Sequence, residues 1–187
     1  MSGRLCRACS GQLRSAPERV VPPGLRVRSA FVHEGAARVL VHRLKYQGIR
    51  AAATLLAAPL AQYLEPADVL VPVPRVLLRR YRFGTDQAWE LAQALRALTG
   101  VTVCAGLAAP LWTPPLAGRR ARTRNPPMFR SRGPWQRRWV IVDDVVTTGA
   151  TLAAVCLALG QVPRLAVTAT SAASGRRVSR GTNLNNR

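Results

Sequence analysis

Lysine is almost missing from this 187-residue chain: Lys45 is the only one among 28 basic residues, and only 8 acids stand against them, for a formal net charge of +20. Such an excess points to nucleic acid or another polyanion. An excess made of arginine beside abundant alanine is also what a GC-rich coding bias produces, so both readings stay open. After Glu90 the only acids are Asp143 and Asp144. Two adjacent carboxylates kept in so positive a field suggest a site for an anionic ligand, with a metal ion offsetting their mutual repulsion.

Histidine is confined to His33 and His42, which read as solvated surface residues rather than ligands, because a structural metal centre needs four donors. Long apolar runs are absent: none approaches the ~18 residues of a membrane span. The opening Met1-Ser-Gly-Arg-Leu-Cys6 has no signal-peptide core, so a cytoplasmic location is expected. Of the 4 cysteines, Cys104 and Cys156 sit in apolar stretches and are expected in the core. Cys6 and Cys9 form a Cys-x-x-Cys, which in the cytoplasm suggests Zn²⁺ rather than a disulfide. No second pair follows, so they supply only half of a tetrahedral site.

What is present is 48% hydrophobic residues, in a chain long enough for about one domain with a substantial core. Its organising stretch runs from Trp139 to Thr151. Trp139 to Val142 is apolar without alternation, as suits a strand buried on both faces. Asp143 and Asp144 then fall at its carboxyl end, where open α/β sheets bind ligands. From Thr148 the period becomes helical, with Leu152, Val155, Cys156 and Leu159 on one face and Gly160 as C-cap. Thr147, Thr148, Gly149, Ala150 and Thr151 therefore lie at a helix N-terminus. Outward N–H groups, the helix dipole, threonine hydroxyls and a glycine that admits close approach fit a phosphate monoester. The aspartates suit ribose hydroxyls or a hydrated Mg²⁺.

Residues 1–28 are rich in Arg, Pro and Gly and read as a loose arm, with order starting near Ser29. A short strand is expected over Ser29–His33, then helices over Ala36–Tyr46 and Arg50–Leu64, the second divided at Pro59. Asp68–Pro74 reads as the first strand of the main sheet. A loop carrying Arg75, Arg79, Arg80 and Arg82 follows, and Thr85 or Asp86 caps a helix to Leu98, with Leu91, Leu95 and Leu98 inward and Gly100 closing it. Val101–Ala105 is the next strand. Residues 106–138 hold six prolines, with eight arginines from Arg119 to Arg138, a length and polarity typical of a lid or disordered segment. A last strand is expected over Leu165–Thr170, and the basic tail 171–187 reads as disordered. Strand and helix alternating over 68–170 predict an α/β fold, a parallel sheet flanked by helices, with a small N-terminal extension.

The strand, the acidic pair and Thr148-Gly149-Ala150-Thr151, in that order, resemble the phosphoribosyl pyrophosphate (PRPP) motif of type I phosphoribosyltransferases. With Lys45-Tyr46-Gln47-Gly48, Leu70-Val-Pro-Val-Pro74, the block Arg82–Ala88, and Arg122-Thr-Arg-Asn125 with Phe129, the chain over residues 29–170 resembles the ComF-type, competence-associated branch of that family. It departs from the family's four-cysteine zinc ribbon, of which only the Cys6–Cys9 half remains. It also places Phe83 where the family has Arg, and its flexible-loop block is thinned of Gln.

The resemblance implies a type I phosphoribosyltransferase-like fold. It implies Asp143 and Asp144 on the ribose 2′ and 3′ hydroxyls, directly or through Mg²⁺, with Thr147–Thr151 around the 5′-phosphate. Arg75, Arg79, Arg80 and Arg82 become candidates for the pyrophosphate, and Arg122 and Asn125 for a lid. Three roles follow as expectations: a glycosyltransferase passing phosphoribosyl to an acceptor, a PRPP sensor or scaffold without turnover, or a single-stranded-DNA-binding accessory of the competence machinery in DNA uptake. No His or Glu lies near the motif in sequence to serve as a base for an acceptor.

Overall fold

The computed structural model describes residues 5–47, 50–75, 86–109, 128–133 and 138–172. Trp139–Val146 (β7) runs through the middle of a six-stranded sheet. One flank holds Leu165–Ser171 (β8), Leu25–Val32 (β2) and Arg19–Val21 (β1), and the other holds Val69–Pro72 (β3) and Thr102–Val103 (β4), giving the order β1-β2-β8-β7-β3-β4. All pairings are parallel except β1 with β2. Leu107–Ala108 (β5) and Arg130–Ser131 (β6) make a separate antiparallel pair.

Helices cover both faces. Gly35–Gln47 (α2), Arg50–Ala57 (α3) and Gln87–Thr99 (α4) bring Leu40, Leu44, Leu56, Leu91 and Leu95 against Val140, Val142 and Val167. Ala150–Leu159 (α5) brings Leu152, Val155, Cys156 and Leu159 against Trp139, Ile141 and Ala166 on the other face. A central strand covered on both sides must be apolar throughout, and the run before Asp143 meets that demand. Pro59 ends α3 as expected: the chain continues as a 3₁₀ segment over Ala58–Tyr63. Asp86 caps α4 through Trp89 N–H, and Gly100, at φ 73°, closes it. Among the described residues no helix is long and apolar enough to cross a membrane.

Several expectations need correction. The stretch read as a loose arm carries a short helix, Arg7–Gly11 (α1), and the β1–β2 hairpin, so order begins well before Ser29. Its composition hid a period-two pattern: Val21, Leu25 and Val27 are buried while Val20 and Arg26 point out. Pro22 and Pro23 lie in the turn, beside Gly24 at φ 117°. Leu98 is 46% exposed rather than inward, and the Val101–Ala105 strand shrinks to Thr102–Val103 at the sheet edge. Cys156 is buried as expected, whereas Cys104 keeps partial exposure. Ser171, assigned to the tail, is the last residue of β8. Most of the expected lid and nearly all of the tail lie outside the described residues, although Phe129, at the end of the lid region, is buried in the core.

At the amino ends of the parallel strands, Asp68 has no exposed side-chain surface and is met by Arg164 and Arg138. It also accepts the Glu65 N–H at 2.7 Å, while Glu65 pairs with both arginines. These residues tie the starts of β3, β7 and β8 together and leave the carboxyl ends open to function.

Candidate functional site

β7 does not end at the acidic pair, as the sequence suggests; it continues through Asp143 and Asp144 to Val146. Its two neighbours differ in length. β3 pairs with it only as far as Pro72 opposite Val142, whereas β8 keeps register to Val146 opposite Ser171. Among the described residues β7 thus has, from Asp143 onward, a strand partner on one side only. The carboxylates stand at that step in the carboxyl edge of the sheet, where ligands bind in open α/β folds.

The pair is electrostatically tense. Asp143 Oδ1 accepts the Asp144 N–H at 2.8 Å, and Asp144 Oδ1 accepts the Val145 N–H at 2.8 Å. Enclosure by protein, then the charge of Asp144, hold the Asp143 carboxyl well above the ordinary aspartate range, with a smaller push from Asp86. As whole residues Asp143 and Asp144 are half-buried. Two hard oxygen donors that repel each other are a fitting donor set for a hydrated Mg²⁺, an ion that commonly takes one or two carboxylates and keeps water. Among the described residues no group of three or more His, Cys, Asp or Glu is placed to hold a metal.

After β7 the chain turns through Thr147 and Thr148, both exposed, to the buried Gly149, and α5 begins at Ala150. Gly149 takes the left-handed conformation, φ 85° and ψ 4°. Thr148 Oγ1 accepts the Ala150 N–H at 3.4 Å. The sequence motif assigns the glycine to close approach of a ligand. The atoms that approach it are those of Val21, 2.7 Å from where a Cβ on Gly149 would stand.

Asp86 lies close enough to raise the Asp143 carboxyl. Its Oδ2 accepts the Arg75 N–H at 3.3 Å and its Oδ1 the Trp89 N–H at 3.4 Å. One side chain thus pins the exit of β3 to the entry of α4 beside the acidic pair, and Arg75 stands at this edge. Arg79, Arg80, Arg82, Arg122 and Asn125 lie outside the described residues, as does much of the arginine-rich 119–138 segment.

Cys6 and Cys9 lie at α1, where Cys6 Sγ accepts the Cys9 N–H at 3.4 Å. Hydrogen bonding at Cys9 lowers the Cys6 thiol, and the same contact with Cys6 raises the Cys9 thiol. The pair gains no third ligand among the described residues.

Two residues escape sequence reasoning. Arg19 donates from Nη2 to the Thr147 carbonyl at 2.9 Å, and from Nη1 to Ser171 Oγ at 3.0 Å and the Ala172 carbonyl at 3.2 Å. Nothing in its neighbourhood of the sequence marks it, because its partners lie 128 and more positions away. His33, read as a solvated histidine, is half-buried instead: it follows β2 at the same sheet edge, with Nδ1 2.8 Å from Thr170 Oγ1. His42 is exposed as expected.

No protein-family model matches the chain, and no curated protein does.

Proposed function

We propose that the chain is a phosphoribosyltransferase-type protein that binds PRPP, or another ribose 5-phosphate compound, together with Mg²⁺. One observation carries this reading: a single β7–loop–α5 unit sets two carboxylates and a threonine-glycine loop side by side at the carboxyl edge of a parallel sheet. The loop offers donors to a phosphate and the carboxylates offer acceptors to a diol, so a sugar phosphate satisfies both at once.

In this reading Asp143 and Asp144 hold the ribose hydroxyls or the hydrated ion, and Thr147–Thr151 hold the 5′-phosphate. Bound Mg²⁺ would neutralise charge on a leaving pyrophosphate. The carboxylates favour the positive charge that develops on the ribose when the C1′–pyrophosphate bond breaks. Arg75, at the exit of β3 beside Asp86, is a candidate for the pyrophosphate, as are Arg79, Arg80 and Arg82, which follow it in sequence. Membership of the type I group and of its ComF-type branch belongs to the same proposal.

The test is a thermal-shift titration. Mg²⁺-PRPP raises the melting temperature of the wild type, and Asp144→Asn abolishes the rise; an unchanged wild-type curve at saturating ligand ends the proposal. Release of pyrophosphate on adding bases or amines then separates a transferase from a PRPP sensor that binds without turnover.

A further inference from the structure

The structure assigns Arg19 the role of positioning residue for the phosphate loop, an inference that rests on the ribose 5-phosphate reading above. Arg19 lies on the edge strand β1, which only the hairpin brings near the site. Its guanidinium spans the ends of two other strands: Thr147 O follows β7, while Ser171 Oγ and Ala172 O close β8. Those ends are also joined directly, Ala172 N–H donating to Val146 O at 2.9 Å. Among the described residues no carboxylate pairs with Arg19, in contrast to Arg14, Arg26, Arg28, Arg138 and Arg164. Its charge is spent on backbone and hydroxyl acceptors at the loop.

The bond to Thr147 O fixes a direction as well as a place. A trans peptide is planar, so its carbonyl and its N–H point oppositely. Holding Thr147 O towards Arg19 turns the Thr148 N–H away from Arg19, and among the described residues that N–H has no backbone acceptor. Two residues on, Val21 of the same strand fills the space over Gly149. The hairpin thereby holds the Thr147–Thr148 peptide and packs against Gly149 before any ligand arrives, and a loop fixed in advance spares a ligand the cost of ordering it. The positive charge beside the loop adds attraction for a phosphate.

The experiment compares binding of ribose 5-phosphate and 2-deoxyribose 5-phosphate, with Mg²⁺ present, to the full-length wild type, Arg19→Gln and Arg19→Lys by calorimetry. Far-UV circular dichroism of each ligand-free protein checks its fold. Wild type prefers the ribose compound, because the aspartates hold the extra hydroxyl. Arg19→Gln weakens both ligands about tenfold or more while the preference between them stays within twofold. Arg19→Lys, which keeps the charge but has no planar fork, loses affinity to a smaller extent with the same preference. A folded Arg19→Gln that binds ribose 5-phosphate within twofold of wild type overturns the role. So does collapse of the preference, which marks general disorder of the edge rather than a displaced phosphate loop. Should Arg19→Gln not fold, Arg19→Lys decides by the same two ratios. A wild type that binds neither ligand overturns the parent reading itself, a result distinct from either outcome at Arg19.

Discussion

Val21 occupies the space that a side chain on Gly149 would need: a Cβ there would lie 2.7 Å from both Cβ and Cγ1 of Val21. A strand 128 residues earlier thus dictates the glycine of the loop as firmly as any ligand could. Gly149 also sits at φ 85°, where an L side chain costs about 1–2 kcal/mol before any clash. Gly149→Ala is therefore expected to destabilise the protein by about 2–4 kcal/mol, combining backbone strain with overpacking against β1. Urea titration measures the loss. Stability within ~0.5 kcal/mol of wild type would show that β1 moves aside freely.

The Asp68 cluster should govern stability without touching ligand binding, because it lies at the amino ends of strands whose carboxyl ends form the site. Asp68→Ala leaves Arg164 and Arg138 partly buried without their central partner, and strands the Glu65 N–H. Removing one member of a fully buried pair costs about 3–5 kcal/mol. The arginine side chains here remain 44% and 32% exposed, and solvent screening brings the expectation to about 2–3 kcal/mol. For a chain of this size that is a fall of roughly 5–10 °C in Tm. Differential scanning calorimetry, with PRPP binding measured below the transition, checks both halves.

The sequence was most legible where one local rule settled the structure. Apolar Trp139–Val142 had to be a covered strand, Pro59 had to break a helix, and Thr85 or Asp86, with Gly100, had to cap one. The acidic pair and the threonine-glycine loop could be placed because strand, turn and helix follow directly in the chain. Less legible was whatever depends on partners distant in sequence. The β1–β2 hairpin was masked by its own prolines and arginines, although Val21, Leu25 and Val27 carry an alternating pattern. Leu98 sits on the helical period but at the end of α4, beyond the reach of the sheet. Arg19 and His33 acquire partners only because β2 lies beside β8, a pairing no local pattern announces.

That β2–β8 seam is polar as well as buried. Ser29 Oγ and Thr168 Oγ1 lie 2.7 Å apart, and Thr168 donates on to the Thr170 carbonyl at 3.2 Å. Thr168→Val keeps the shape and removes the hydroxyl, leaving Ser29 without its partner, at an expected cost of about 1–3 kcal/mol. Ser29→Ala combined with Thr168→Val removes both polar groups and should recover much of that loss. A double-mutant cycle by chemical denaturation measures the coupling; additive single effects would mean the hydroxyls act independently.

Asp143 is expected to tie stability to the proposed ligand binding in opposite senses. In the unfolded chain it ionises as an ordinary aspartate, but in the fold burial and the Asp144 charge keep its proton to higher pH. The native state then binds more protons than the unfolded one across that interval, so ligand-free stability is full below the ordinary aspartate range and is lost as pH rises through the raised value. Asp143→Asn retains an oxygen for the Asp144 N–H and cannot ionise. It should flatten this part of the pH profile and raise the ligand-free Tm near neutrality, by about 2–4 °C for each kcal/mol recovered. The same variant loses a carboxylate proposed to hold ribose or Mg²⁺, so its Mg²⁺-PRPP thermal shift should shrink or vanish. Calorimetry from about pH 4 to pH 8 with and without ligand tests both effects. Parallel wild-type and variant profiles would refute the linkage, whereas a gain in stability with undiminished binding would place the ligand elsewhere than on Asp143. Stability gained where binding is lost is the usual mark of a residue kept for its chemistry rather than its packing.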